Sequence, residues 1–344
     1  MNTIGVIGGG GWGTALAKMC TEKGLPVDIW VREPEITEEI NSRHTNNTFL
    51  PGVILPQALH ANTSLESVVR NKKYLITAVP TQWVRSVARQ MAPLVAEDAI
   101  IISVSKGLEV QSLKTLTAVL EEELPGRDPN SIVALSGPNH AEEVARNIPS
   151  ATVVATPVLK YAEQVQDLLI SPRFRVYTNP DRMGVQLGGA LKNVIALAAG
   201  ISDGLGFGDN SKAALVTRGL SEIARLGAAM GAKTPTFAGL SGMGDLFVTA
   251  GSKHSRNAWA GRELGAGKTL KEITASTKMV VEGVTTTQAA YQLAKELKIE
   301  MPITAITYQI LFEELPPQDG VGQLMERMRT HEMEEVVSAT YSWI

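Results

Sequence analysis

Apolar residues in the first half of the chain fall into short runs that predict strands over 3–7, 27–31, 74–79, 100–104, 132–135, 152–155 and 175–177. Most lack polar alternation and are bounded by Gly, Pro, Asp or Asn, the pattern of strands covered on both faces. Helical periodicity fills several of the gaps, as at 12–23 and 113–123. Alternating βαβ units predict a doubly wound, mostly parallel Rossmann sheet. Beyond about residue 180 the strand pattern stops. Helices are expected over 183–201, 211–230, 285–297, 303–312 and 320–328, punctuated by Gly231, Pro235, Pro302 and Pro316-Pro317. The expectation is therefore a dinucleotide-binding domain over 1–185 and an all-α substrate domain over 186–344. A ligand should bind in the cleft between them, at the carboxyl ends of the strands.

Composition narrows the class. With 344 residues, 44% hydrophobic, 19% charged and a net charge of −3, the chain reads as globular and mildly acidic. A nucleic-acid partner is not expected, because phosphate-backbone binding needs a basic surface. The single cysteine, Cys20, reads as a buried core thiol in a helix. The N-terminus has no basic leader region, and no apolar run approaches the ~20 residues that span a bilayer. A cytoplasmic protein is the expectation.

The first strand runs into Gly8-Gly9-Gly10-Gly11-Trp12-Gly13, which has G-x-G-x-x-G spacing at Gly8, Gly10 and Gly13. Placed between a strand and a helix, this is a strong dinucleotide signal. Gly8 permits the tight turn, Gly10 admits the pyrophosphate and Gly13 lets helix and strand pack closely. The helix N-terminus offers unpaired N–H groups to the phosphates. Asp28 has the right distance from Gly8 for a ribose ligand but sits at the wrong end of its strand. Arg32, followed by Glu33, sits at the right end, and a guanidinium there suits a 2′-phosphate. NADP is thus the expected cofactor, with NAD allowed.

Between Gly184 and Ser202 the only charged residue is Lys192. A lysine in so apolar a helix must face a polar cleft or an anion, and desolvation would lower its pKa toward proton-transfer range. Asn193 beside it could hold a carbonyl or the lysine, and Gly188-Gly189 allow close approach. Lys106 follows the 100–104 strand, at the sheet's carboxyl edge, where it could steady an anionic substrate. Asp245, in a Gly-rich turn, could orient Lys192; helix capping explains it equally well. Ser255-Arg256-Asn257 sets a hydroxyl, a guanidinium and an amide in a row, a set that suits a phosphate, although Ser255 also fits a helix cap. No zinc spacing and no nucleophilic-serine motif appears. Glu121-Glu122-Glu123 and Glu334-Glu335 read as solvated faces.

Taken together, these residues resemble the bacterial NAD(P)-dependent glycerol-3-phosphate dehydrogenases. The resemblance is carried by GGGGWGTALA from Gly8, FLPG from Phe49, SKGLE from Ser105, LSGPNHAEE from Leu135, the long GGALKNVIALAAGISDGLGFGDNSKAAL block from Gly188, GLSGMGDL from Gly239, SRN from Ser255 and VVEGV from Val280. It implies reversible hydride transfer between NAD(P)H and dihydroxyacetone phosphate, giving sn-glycerol 3-phosphate for phospholipid synthesis. It further implies Lys192 as proton donor and acceptor, with Lys106, Gly137, Asp245, Ser255, Arg256 and Asn257 on the substrate. Gly11, Trp12, Arg32, Ala141, Val280 and Glu282 would line the cofactor site, with Lys106 and Arg256 close by, and a homodimer is implied. Asn139-His140 stands where many members carry Ser or Thr and then an aromatic residue. Asn139 can still bond the substrate. Rival readings are another two-domain dehydrogenase of the β-hydroxyacid type and a catalytically silent NAD(P) sensor; a sensor needs no proton relay.

Overall fold

The computed structural model describes residues 2–277 and 279–328. Its strands are β1 (Ile4–Ile7), β2 (Val27–Trp30), β3 (His60–Asn62), β4 (Tyr74–Thr77), β5 (Ile100–Ser103), β6 (Ile132–Ser136), β7 (Ser150–Ala155) and β8 (Phe174–Asn179). They form one sheet in the order β3-β2-β1-β4-β5-β6-β7-β8. Neighbours are parallel except β6 and β7. Six strands follow the doubly wound order, and the β7–β8 pair extends the sheet beyond them.

Helices α1 (Gly11–Glu22), α2 (Pro34–Arg43), α3 (Leu65–Val69), α4 (Val84–Met91), α5 (Leu116–Glu123), α6 (Ala141–Ala145) and α7 (Leu159–Leu169) lie between the strands. The central strands are apolar on both sides, so one core forms on each face of the sheet. Ile4, Val6, Ile76, Ile100 and Ile102 pack with α1 and α7. Ile7, Leu75 and Ile101 face α4 and α5. Cys20 is fully buried in the first core, and burial pushes its thiol up to about 12.

The second half holds α8 (Arg182–Gly204), α9 (Asp209–Ala229), α10 (Asp245–Gly251), α11 (Arg256–Gly265), α12 (Leu270–Ala275), α13 (Glu282–Leu297), α14 (Pro302–Phe312) and α15 (Pro317–Met325), with no strand among the described residues. Asp181 caps α8 by accepting from Gly184 N. α8 runs through the middle, and its Gly200 lies so close to the Ala258 carbonyl of α11 that a methyl there would overlap it. The sequence offers no uninterrupted apolar run of bilayer length, and one helix passes by length and composition alone. α8 has 23 residues and is apolar enough by length and composition, yet 94% of its apolar window is buried in the protein. It is a core helix because helices surround it. Its first turns also reach the sheet, where Val185 packs with Ala134, Val153 and Ala155.

The predicted elements recur with shifted ends. The helix expected from 113 starts at Leu116, that from 285 at Glu282 and that from 320 at Pro317. β3 escaped prediction: its three residues, His60, Ala61 and Asn62, carry no apolar run. Glu121–Glu123 is no simple solvated face. Glu122 and Glu123 pair with Arg85, and Glu121 pairs with Arg182. Glu334 and Glu335 lie outside the described residues.

Candidate active site

The glycine turn lies at the carboxyl end of β1. Gly8 has φ +122°, a conformation that excludes other residues. A methyl on Gly13 would overlap the Gly8 carbonyl, whereas one on Gly10 would meet no atom within 4 Å. The turn is therefore closed against α1 on one side and open at Gly10, where α1 begins with unpaired N–H groups. Gly11 faces the Phe49 carbonyl, and Asn46 donates to the Gly9 carbonyl at 2.9 Å, so the segment from Asn46 to Phe49 braces the turn. Trp12 follows, its indole N–H buried without a partner. Ala141 packs on the same core from the first turn of α6.

Beyond β2, Arg32 is exposed and its guanidinium holds Glu33 at 2.7 Å. Asp28 sits at the far end of the strand, paired with Lys72.

Lys192 lies midway along α8 and is buried. Its Nζ donates to Asp245 Oδ1 and Thr249 Oγ1, both at 2.6 Å. Lys106 Nζ donates to the other carboxylate oxygen, Asp245 Oδ2, at 2.6 Å and to the Gly137 carbonyl at 2.9 Å. One buried carboxylate thus bridges a lysine from the sheet edge and a lysine from the central helix. Burial pulls the Lys192 pKa down to about 8; Lys106 and Arg256 push the same way, against Asp245. Burial alone would raise the Asp245 pKa, but the two lysines outweigh it and hold the carboxyl below its usual range.

Asp245 is the first residue of α10 and makes no cap bond, so the capping alternative falls. Helical geometry also explains Thr249, which sequence reading missed: at i+4 from Asp245 it shares that face. The spacing was visible, but only the position of Lys192 gives it meaning. Gly189 packs on Ser136 and Gly188 on the Ser241 carbonyl, which lets α8 bring Lys192 against the sheet edge.

Other candidates are already partly engaged. Ser255 Oγ accepts from Ala258 N and caps α11. Asn257 donates to Asn193 Oδ1 at 2.9 Å and accepts from Gly283 N at 2.9 Å, joining α8, α11 and α13. Asn193 in turn donates to the Lys106 carbonyl at 3.4 Å. Arg256 stays exposed beside the Val280 carbonyl, to which it donates at 3.3 Å. Asn139 donates to the Ala151 carbonyl at 2.8 Å, and its Oδ1 is buried and unpaired. Glu282 Oε1 accepts from Thr81 N at 3.0 Å; Oε2 has no partner, and burial raises this carboxyl's pKa.

The comparisons with known proteins decide the family. Residues 3–162 match the model of the NAD-dependent glycerol-3-phosphate dehydrogenase N-terminus, and residues 181–322 match that of its C-terminus. The chain belongs to the NAD-dependent glycerol-3-phosphate dehydrogenase family. It is 51% identical over 336 residues to glycerol-3-phosphate dehydrogenase (NAD(P)+) of Pelotomaculum thermopropionicum, covering 98% of this chain and 96% of the relative. The corresponding Bacillus subtilis dehydrogenase is 48% identical over 338 residues, 98% of each chain. Among solved structures, glycerol-3-phosphate dehydrogenase from Coxiella burnetii is similar at a TM-score of 0.91 and 37% identity, covering 95% of this chain and 99% of that one. In this dehydrogenase fold, the glycine turn and the lysine pair both open toward the carboxyl edge of one sheet.

Proposed function

We propose that the protein is an NAD(P)-dependent glycerol-3-phosphate dehydrogenase that reversibly reduces dihydroxyacetone phosphate to sn-glycerol 3-phosphate. The observation that carries this reading is the Lys192–Asp245–Lys106 bridge in a chain of that family. The residues present fit the dinucleotide: an open approach at Gly10, unpaired N–H groups at α1 and Trp12, and an unpaired carboxylate oxygen on Glu282. A nicotinamide held there would supply the hydride for the carbonyl carbon. Lys192 gives its proton to the carbonyl oxygen, completing the alcohol, and takes it back in the oxidative direction. Asp245 fixes the Lys192 ammonium through Oδ1 while its Oδ2 holds Lys106. Lys106 steadies the substrate's oxygen on the sheet side, and Arg256 brings positive charge for the phosphate. Gly137 and Asn139, next to Lys106, complete that side.

Arg32 favours NADP, since it lies just beyond the carboxyl end of β2 and its exposed pair with Glu33 exchanges readily for a 2′-phosphate. Ala141 and Val280 would flank the dinucleotide. We place the domain boundary near residue 185, within the first turn of α8. A cytoplasmic homodimer belongs to the same reading, with light scattering as the measure of assembly. The deciding experiment is steady-state oxidation of NADPH and of NADH with dihydroxyacetone phosphate. Turnover with at least one is expected; a folded sample inactive with both would overturn the assignment.

A further inference from the structure

The phosphate donors read from the sequence are partly spent. One of the two Asn257 amide protons is bound to Asn193, while Ser255 Oγ accepts from Ala258 N in the α11 cap and keeps its hydroxyl proton to donate. The cluster nonetheless calls for an anion. Lys192 and Lys106 share a single carboxylate, and the Arg256 charge is felt at Lys192.

His140 is the side chain in this region without a role. It follows Gly137-Pro138-Asn139 at the end of β6 and immediately precedes α6. Its Nε2 is buried and has no hydrogen-bond partner, a costly state unless a ligand supplies one. Its ring reaches across the cleft to His254, with centroids 5.9 Å apart. His254 directly precedes Ser255 and Arg256. Burial, then Lys192 and Lys106, disfavour its protonation, which places the imidazole within the field of the lysine pair.

We propose that His140 is a further substrate-binding residue whose Nε2–H donates to the phosphate of the bound triose. The inference rests on the function proposed above. The carbonyl belongs beside Lys192, which leaves the other end of the substrate to lie toward His254 and Arg256. A phosphate there would satisfy Nε2 and offset the repulsion from both lysines.

The test uses two polar variants of similar folding demand. The His140→Gln amide reaches the position of Nε2, whereas the His140→Asn amide stops at that of Nδ1. KM for dihydroxyacetone phosphate, Ki for inorganic phosphate and the Kd of NADPH by fluorescence would be measured for each. His140→Asn should raise KM and Ki about tenfold, with kcat and the NADPH Kd within twofold of wild type. His140→Gln should recover most of the loss. Equal effects of the two variants, or KM and Ki within twofold in His140→Asn, would overturn the proposal. Calorimetric titration of inorganic phosphate into wild type and His140→Asn reads the site without turnover. Phosphate binding that depends on His140 in an enzyme inactive on the triose would sink the function and keep the site.

Discussion

The glycine turn and the lysine pair lie at one sheet edge but are built on opposite principles. The turn works through missing side chains: backbone N–H groups, a positive φ at Gly8 and open space at Gly10. It belongs wholly to the first half of the chain. The lysine pair works through side chains that balance one another's charge, and it exists only when both halves are docked. Lys106 comes from the end of β5, Lys192 from α8 and Asp245 from α10. The difference teaches that dinucleotide binding and proton transfer are separable by mutation. The first should respond to added volume and the second to removed charge.

The largest effect is expected at Lys192. Lys192→Ala should lower kcat by about 10²–10⁴, with an unchanged circular dichroism spectrum and NADPH affinity. A loss under tenfold would remove Lys192 from proton transfer. The wild-type pH profile sharpens the point. With the Lys192 pKa near 8, the ammonium needed for reduction is present below that pH and lost above it. Reduction should therefore fall as pH rises through about 8, while oxidation, which needs the neutral amine, should rise. Asp245 raises that pKa, so Asp245→Asn should move both inflections to lower pH. An unmoved inflection would mean another group sets the profile.

The glycine turn should break in two distinct ways. Gly13→Ala drives a methyl into the Gly8 carbonyl. The expected cost is about 1–3 kcal/mol of stability, read as a lower Tm even without cofactor. Gly10→Ala meets no protein atom and keeps an ordinary φ of −67°. It should leave the apo Tm within a degree or so and weaken NADPH binding about tenfold or more, since the methyl stands where the pyrophosphate must approach. If both variants lose stability equally, the turn is only a structural loop.

What could be read from the chain follows the same division. Strands buried on both faces and glycines at fixed spacing are local features, so β1, β4, β5 and the turn were legible. Lys192 was legible because an apolar helix makes a lone charge conspicuous. Its partners were harder. Asp245 lies 53 residues away and Lys106 86, and only packing joins them. Thr249 is ordinary until Asp245 is known to face Lys192. The Ser255 cap was legible as an option at a helix start, whereas nothing in SRN reveals the link from Asn257 to Asn193; Ser255 keeps its hydroxyl proton and Asn257 one amide proton. β3 escaped because its pairing with β2 through Asp28 and Trp30 relies on backbone and not on apolar side chains.

The smallest effect is expected at Arg32, where the two principles meet: a side-chain charge beside a backbone-built site. Its guanidinium is exposed and already holds Glu33, so solvent screens it and its pair contributes little to stability. Arg32→Ala should leave Tm within about one degree. A charge-assisted contact to a phosphate contributes about 1.5–3 kcal/mol, part of which replaces the Glu33 pair. KM for NADPH should therefore rise about fivefold to tenfold, and KM for NADH less than twofold. Because Glu33 is then released, it becomes free to accept from ribose hydroxyls, which tilts the variant further toward NADH. Equal changes in the two KM values would reject the 2′-phosphate role and leave the glycine turn alone to bind either dinucleotide.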